Sequence, residues 1–200
     1  MPTSNPLCTE EEIAMQQNKM RYLALMISVI TLFLTSFAAT ADTAAEIDRD
    51  VDNAIQKLYA GSTAAKELSR VAKATLVFPK IIKGGLIIGG QYGQGALRVG
   101  GETYGYYSTT AASYGLQAGA QSFGYAMFFM TDEAVEYMKN SEGWEVGVGP
   151  SVVVVDEGVA GSLTTSTAKE GIYVFFFDQK GLMAGLGIQG SKINRIEPDK

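Results

Sequence analysis

The chain has 200 residues, 46% hydrophobic and 18% charged, with a net charge of −5, proportions that fit one globular domain and exclude a disordered or collagen-like polymer. It contains no histidine and one cysteine, Cys8, which removes Ser-His-Asp and Cys-His catalysis, histidine acid–base work and His/Cys metal sites, and leaves no disulfide once Cys8 goes with the segment described next. The acidic balance speaks against a nucleic-acid partner, and Asp, Glu, Lys and Tyr chemistry is what remains.

Lys19 and Arg21 precede an apolar run from Tyr22 to Phe37, and Ala39-Thr40-Ala41 supplies a small-x-small cleavage pattern before Asp42. This is the layout of a secretory signal peptide. A membrane anchor needs about 20 apolar residues, and Ser28, Thr31, Thr35 and Ser36 dilute this shorter run. Glu10, Glu11 and Glu12 are wrong for a basic leader, which makes Met20 an alternative start. The expected organisation is a signal peptide over 1–41, with a misassigned start over 1–19 as the alternative reading of its first residues, and one exported domain over 42–200.

From Asp42 to Tyr59 the residues Ile47, Val51, Ala54, Ile55 and Leu58 fall on one helical stripe, with Glu46, Asp48, Arg49, Asp50, Asp52 and Lys57 on the other face. Gly61-Ser62-Thr63 closes that helix and caps a second, Ala64 to Lys73, with Leu68, Val71 and Ala72 inward. A helical hairpin is predicted. After Ala74 the period changes to two. Strands are predicted at Thr75–Phe78, Leu86–Tyr92, Ala96–Val99, Thr103–Ser108, Tyr114–Gln121, Tyr125–Met130, Val146–Val155, Val159–Thr165, Ile172–Phe177 and Leu182–Gln189. Asp156-Glu157-Gly158 and Asp178-Gln179-Lys180-Gly181 read as hairpin turns. One helix interrupts the strands, with Thr131 as N-cap, Asp132 and Glu133 in its first turn and Lys139 near its end, charges that suit the helix dipole.

The strands carry an unusual alternation: Gly89-x-Gln91-x-Gly93, Gly115-x-Gln117-x-Gly119-x-Gln121 and Gly187-x-Gln189. Glycine is depleted in strands, so its repeated use points to curvature or to close approach of another backbone, while Gln can hydrogen-bond across neighbours. A weak echo links Lys83-Gly84-Gly85-Leu86 with Lys180-Gly181-Leu182, as two strands of the same local geometry would. The fold class is therefore α+β: a helical hairpin packed on a curved, mostly antiparallel, Gly-rich sheet, open or closed into a barrel.

Gly185-Leu186-Gly187-Ile188-Gln189-Gly190 matches a dinucleotide fingerprint, but too few residues follow for the helix and parallel strand that such a site needs. Carboxylates at Asp132/Glu133/Glu136, Glu142/Glu145 and Asp156/Glu157 sit at a helix start or turns, with neither EF-hand spacing nor apolar surroundings, and read as solvated surface. Positive charge is more suggestive. Lys66, Arg70 and Lys73 fall at i, i+4 and i+7, and Lys80 and Lys83 follow around Ile81-Ile82. Cations beside apolar side chains suit anionic lipid headgroups, although an ordinary polar helix face has the same pattern.

Ala74-Thr75-Leu76-Val77-Phe78-Pro79-Lys80, Lys83-Gly84-Gly85 leading into Gly89-Gly90-Gln91-Tyr92-Gly93-Gln94-Gly95, Ser113 to Gln121, and Lys180 to Gly185 with Gly190-Ser191 together resemble the SYLF domain family, from about Asp50 to the C-terminus. The resemblance implies lipid binding rather than catalysis and no cofactor; eukaryotic members are phosphoinositide-binding modules, and a yeast branch also binds actin. It makes Lys66, Arg70, Lys73, Lys80 and Lys83 the expected lipid-binding residues. For an exported member, periplasmic or secreted and peripherally membrane-associated, the expected partner is an anionic phospholipid of the cell envelope. The alternative is an envelope scaffold that recruits a protein.

Overall fold

The computed structural model describes residues 15–21, 42–85, 88–114, 119–141, 143–155, 171–181 and 190–199. The chain divides into two compact units, Met1–Thr40 and Ala41–Lys200. In the first, residues 15–21 form a helical segment, α1. The apolar run and cleavage pattern proposed for export lie outside the described residues, among which no helix is long and apolar enough to cross a membrane.

The second unit opens with α2 (Ala44–Gly61), which buries Ile47, Val51, Ala54 and Leu58, the predicted stripe. Thr43 caps it: its hydroxyl accepts from Glu46 N at 3.3 Å, and Glu46 Oε2 accepts from Thr43 N at 2.9 Å. That backbone hydrogen bond, with the one from the Thr43 side chain, holds the Glu46 carboxyl below the usual carboxylate range. Ser62 ends α2 and caps α3 (Thr63–Ser69) by accepting from Ala65 N at 3.2 Å. α3 is shorter than predicted. Lys73 N donates to Phe129 O at 2.8 Å, so the chain has already joined the sheet there, and Val71 is exposed rather than inward.

Eight strands follow: β1 (Ala74–Gly85), β2 (Ile88–Val99), β3 (Glu102–Tyr114), β4 (Gly119–Phe129), β5 (Trp144–Glu145), β6 (Val152–Val155), β7 (Ile172–Gly181) and β8 (Lys192–Ile196), with α4 (Asp132–Asn140) between β4 and β5. Thr131 caps α4 as predicted, accepting from Ala134 N at 3.2 Å. The sheet order is β5-β8-β3-β2-β1-β4-β7-β6, antiparallel except for β6 with β7. β5 and β6 stand at opposite ends without pairing, so the described sheet is a half-barrel rather than a closed one.

Several predicted boundaries are corrected. β1 runs through Pro79 because an extra residue there forms a β-bulge: Val77 faces Ala96 and Lys80 faces Gln94, so that Phe78 and Pro79 stand against Gly95 alone. A bulge is where a central strand tolerates proline. The described part of Leu86–Tyr92, from Ile88, falls with Ala96–Val99 in one strand, β2, and of Tyr114–Gln121 the described residues are Tyr114 at the end of β3 and Gly119–Gln121 at the start of β4. Asp178–Gly181 is not a turn but the end of β7, which bulges between Phe177 and Lys180. Of the predicted Val146–Val155 only Val152–Val155 is strand, β6: Gly147 and Gly149, whose φ of 106° and 94° are left-handed, turn the chain after β5. β8 is an unpredicted strand, and Asp156–Gly158, Val159–Thr165 and Leu182–Gln189 lie outside the described residues.

Through the middle of the sheet the strands are buried on both faces. One face packs Leu76, Phe78, Leu97, Tyr107, Tyr125, Met127 and Trp144 against Ala134, Val135 and Met138 of α4. The other packs Val77, Ala96, Ala126, Phe128 and Phe175 against α2 and α3.

Candidate functional site

The two bulges flank β4, on β1 at Pro79 and on β7 at Asp178-Gln179, and Gly124 of β4 stands between them. A Cβ on Gly124 would lie 2.6 Å from Phe177 Cζ and 2.7 Å from the Pro79 carbonyl oxygen. The glycine therefore makes room for the Phe177 ring of β7 and lets the β1 backbone at Pro79 come close along the line where the sheet bends. The echo of Lys83-Gly84-Gly85 in Lys180-Gly181 falls on the two strands that flank β4, both bulged.

α2 crosses this line and leaves a cavity of about 340 Å³ between itself and the bulges. Its rim holds Lys57 and Asp50 from α2, Lys80 from β1, Ser122 from β4, and Asp178 and Lys180 from β7. Lys57 Nζ meets Asp178 Oδ2 at 3.0 Å, an exposed pair of the kind worth ~0–1 kcal/mol. Asp178 has φ of 51°, the one non-glycine among the described residues in the left-handed region, where Asp is tolerated. Three ammonium groups against two carboxylates leave the groove net positive, with Pro79 and Ala54 as its apolar lining.

A half-buried cluster fixes α2 above the groove. Arg98 of β2, whose side chain is 14% exposed, donates to Asp52 Oδ1 at 2.7 Å, to the Asp48 carbonyl oxygen at 3.3 Å and to Thr103 Oγ1. Asp48 also accepts from Thr103 Oγ1 at 2.7 Å and from the Tyr106 hydroxyl at 2.8 Å. Two carboxylates that the helical wheel assigns to solvent thus tie α2 to the sheet.

The five sequence-predicted cations do not form one cluster. Lys66 is exposed on α3, Arg70 pairs with Glu67 Oε2 at 2.9 Å, and Lys73, off the helix, lies 3.7 Å from Asp132 Oδ2. Lys80 stands seven residues further on, roughly 23 Å at the usual strand rise. Lys80 alone of the five lines the groove, where Lys57 and Lys180 join it. Lys83 is half-buried, opposite Gln91 and Gln121, and strand alternation turns it to the other face. On that face Gln91 Nε2 donates to Ser191 Oγ at 3.0 Å, and Gln121, 2% exposed, has no partner for either amide atom among the described residues. Tyr125, fully buried, donates to Thr109 Oγ1 at 3.0 Å, and burial pushes its phenol far above the usual tyrosine range.

Removing the Asp178 carboxylate tests the balance of charge in the groove. Asp178→Gly is expected to change unfolding free energy by less than about 1 kcal/mol, since the lost exposed pair is offset by a backbone suited to positive φ. Urea unfolding measures it, and a loss well above that would mean the Lys57–Asp178 pair holds α2 in place.

No curated protein matches the chain. Residues 110–197 match the family model Ysc84, described as Las17-binding protein actin regulator. The match takes in the blocks at Ser113–Gln121 and Lys180–Ser191 but not those at Ala74–Gly95. Over that range the resemblance to the SYLF family holds: residues 110–197 match the model of Ysc84, or SYLF, a family of binding domains associated with lipid and with actin regulation.

Proposed function

We propose that this chain is an exported, non-enzymatic protein that binds anionic phospholipid headgroups at the cell envelope, and that the groove beneath α2 is where the headgroup sits. The observation that carries the proposal is the convergence of Lys57, Lys80 and Lys180 from three separate elements on one cavity. Ammonium groups held around a concave, partly apolar site suit a phosphate whose ester chain leaves towards solvent. Lys66, Arg70 and Lys73 on and after α3 add cations that act at longer range, and Lys83 belongs to the opposite face. Export rests on Lys19, Arg21, the run from Tyr22 to Phe37 and Ala39-Thr40-Ala41; it predicts a mature chain beginning at Asp42, which N-terminal sequencing checks.

Co-sedimentation with phosphatidylcholine vesicles, with and without phosphatidylglycerol, tests the binding. The chain is expected to pellet with the anionic vesicles only, and Lys80→Ala and Lys180→Ala are each expected to weaken partitioning about fivefold, ~1 kcal/mol per cation near the surface. Asp178→Gly should strengthen it by a similar factor. Equal pelleting with neutral and anionic vesicles, or indifference to Lys80 and Lys180 alike, would overturn the electrostatic site. An envelope scaffold would recover a stoichiometric protein from envelope extracts and leave both kinds of vesicle unbound.

A further inference from the structure

On the sheet face that carries α2, the helix reaches only as far as the row of Gln94 and Lys80: Asp42 N, just ahead of the helix, donates to Gln94 Oε1 at 3.4 Å. Beyond that row no other helix among the described residues lies over β1 and β2. Ile82 faces Tyr92 across the two strands, and both are exposed, by 57% and 51%. Ile88, 72% exposed, lies four residues from Tyr92 and by alternation on the same face. Gly84, Gly90 and Ala120 fill the row between them, with no polar side chain.

Exposed large apolar side chains grouped in this way mark an interaction surface, and the charges around them say of what kind. Ile82 is opposite Ser122, which is opposite Lys180, and Lys80 is two residues from Ile82. The nearby carboxylates are Asp42, beside Tyr92, and Asp50 and Asp178 in the groove, where Asp178 is bound to Lys57. An apolar tip with lysines behind it is the order in which a bilayer presents acyl chains and anionic headgroups.

We propose that the end of the β1–β2 hairpin inserts into an anionic bilayer, with Ile82, Ile88 and Tyr92 entering the acyl boundary while Lys80 and Lys180 stay at headgroup level. From Gln94 to Ile88 is six residues, roughly 20 Å along the strand, enough to pass the headgroups and reach the 5–10 Å depth of interfacial insertion. The inference rests on the lipid-binding reading above and adds a depth and an orientation. With Lys80 in the groove and Ile82 beyond it on one strand, one headgroup contact and one wedge are set by the same stretch of backbone.

The test is site-specific fluorescence on the full chain carrying Cys8→Ser, with an environment-sensitive nitrobenzoxadiazole label at Ile88→Cys or, as control, at Glu102→Cys at the other end of the sheet. On anionic vesicles the label at 88 is expected to shift to the blue and be quenched by doxyl-labelled lipid, and that at 102 to stay open to iodide. Ile82→Ser with Ile88→Ser, both at exposed positions, should weaken vesicle partitioning about tenfold or more with an unchanged melting temperature. A label at 88 that stays open to iodide on bound protein overturns insertion and leaves headgroup binding standing. Absence of pelleting overturns both. A blue shift at 88 that grows with protein concentration without vesicles assigns the face to a second copy of the chain and overturns insertion too.

Discussion

Gly95→Ala is expected to destabilise the fold by about 3 kcal/mol or more, the upper end of what overpacking costs. A Cβ at this position would overlap the Val77 carbonyl oxygen and lie 2.8 Å from the Val77 carbonyl carbon and 2.9 Å from Phe78 Cδ1. Two of those three atoms belong to the backbone of β1, so no rotamer change relieves the clash. The strands cannot simply part, because α2 packs on one face through Val77 and Ala96 and the core around Phe78 and Leu97 fills the other. What must give is the bulge at Pro79 or the pairing of Val77 with Ala96. In a chain of this length each kcal/mol moves the melting temperature by about 2–4 °C, so a fall of about 6–12 °C is expected by circular dichroism. Gly61→Ala is the control: it ends α2, a Cβ there meets nothing within 4 Å, and helix propensity predicts a gain of ~0.4–1 kcal/mol. If Gly95→Ala melts within about 2 °C of the parent, the bulge yields freely and glycine is not what lets β1 and β2 close up.

These glycines also mark where the sequence was legible and where it was not. α2 and α4 follow from stripes and caps contained in a few adjacent residues, and the structure keeps them within two or three positions. The curved sheet follows from the glycine alternation, but its strand ends do not. Pro79 and Asp178-Gln179-Lys180-Gly181 carry the chemistry of chain reversal, and a bulge uses the same chemistry: a missing N–H, a left-handed residue. Only the partner strand distinguishes the two outcomes, and β4, which lies between both bulges, is distant in sequence from each. The same distance hid the groove. Lys80 was found because it follows other cations along the chain, whereas Lys57 looked like a helix's polar face and Lys180 like a turn residue. Lys66, Arg70 and Lys73 are close in sequence, yet the helix ends at Ser69 and the next seven residues beyond Lys73 run out along a strand, which carries Lys80 away from them.

Arg98→Ala is expected to lower stability by about 2–3 kcal/mol, just under the range for breaking a buried charge pair. Asp52 is 61% exposed and contributes little, because water solvates it once the guanidinium is gone. The cost comes from Asp48, whose side chain is 33% exposed, and from Thr103 beneath it, which lose their cation inside the α2–sheet contact. Arg98→Lys should recover little, since one ammonium cannot span two carboxylates, a carbonyl and a hydroxyl that a planar guanidinium reaches together. Salt separates this cluster from the surface: the effect of Arg98→Ala should persist at high ionic strength, whereas that of the exposed Lys57–Asp178 pair should vanish. Urea unfolding at two salt concentrations measures both. A loss under about 0.5 kcal/mol, or full recovery by lysine, would mean that α2 is held by its apolar stripe alone. The consequence reaches the groove, because α2 brings Lys57 to Lys80 and Lys180 and Arg98 fixes α2 to β2. Loosening that link without touching any groove lysine should weaken anionic-vesicle binding in step with the slackening of α2, read from amide exchange at Val51, Ala54 and Leu58.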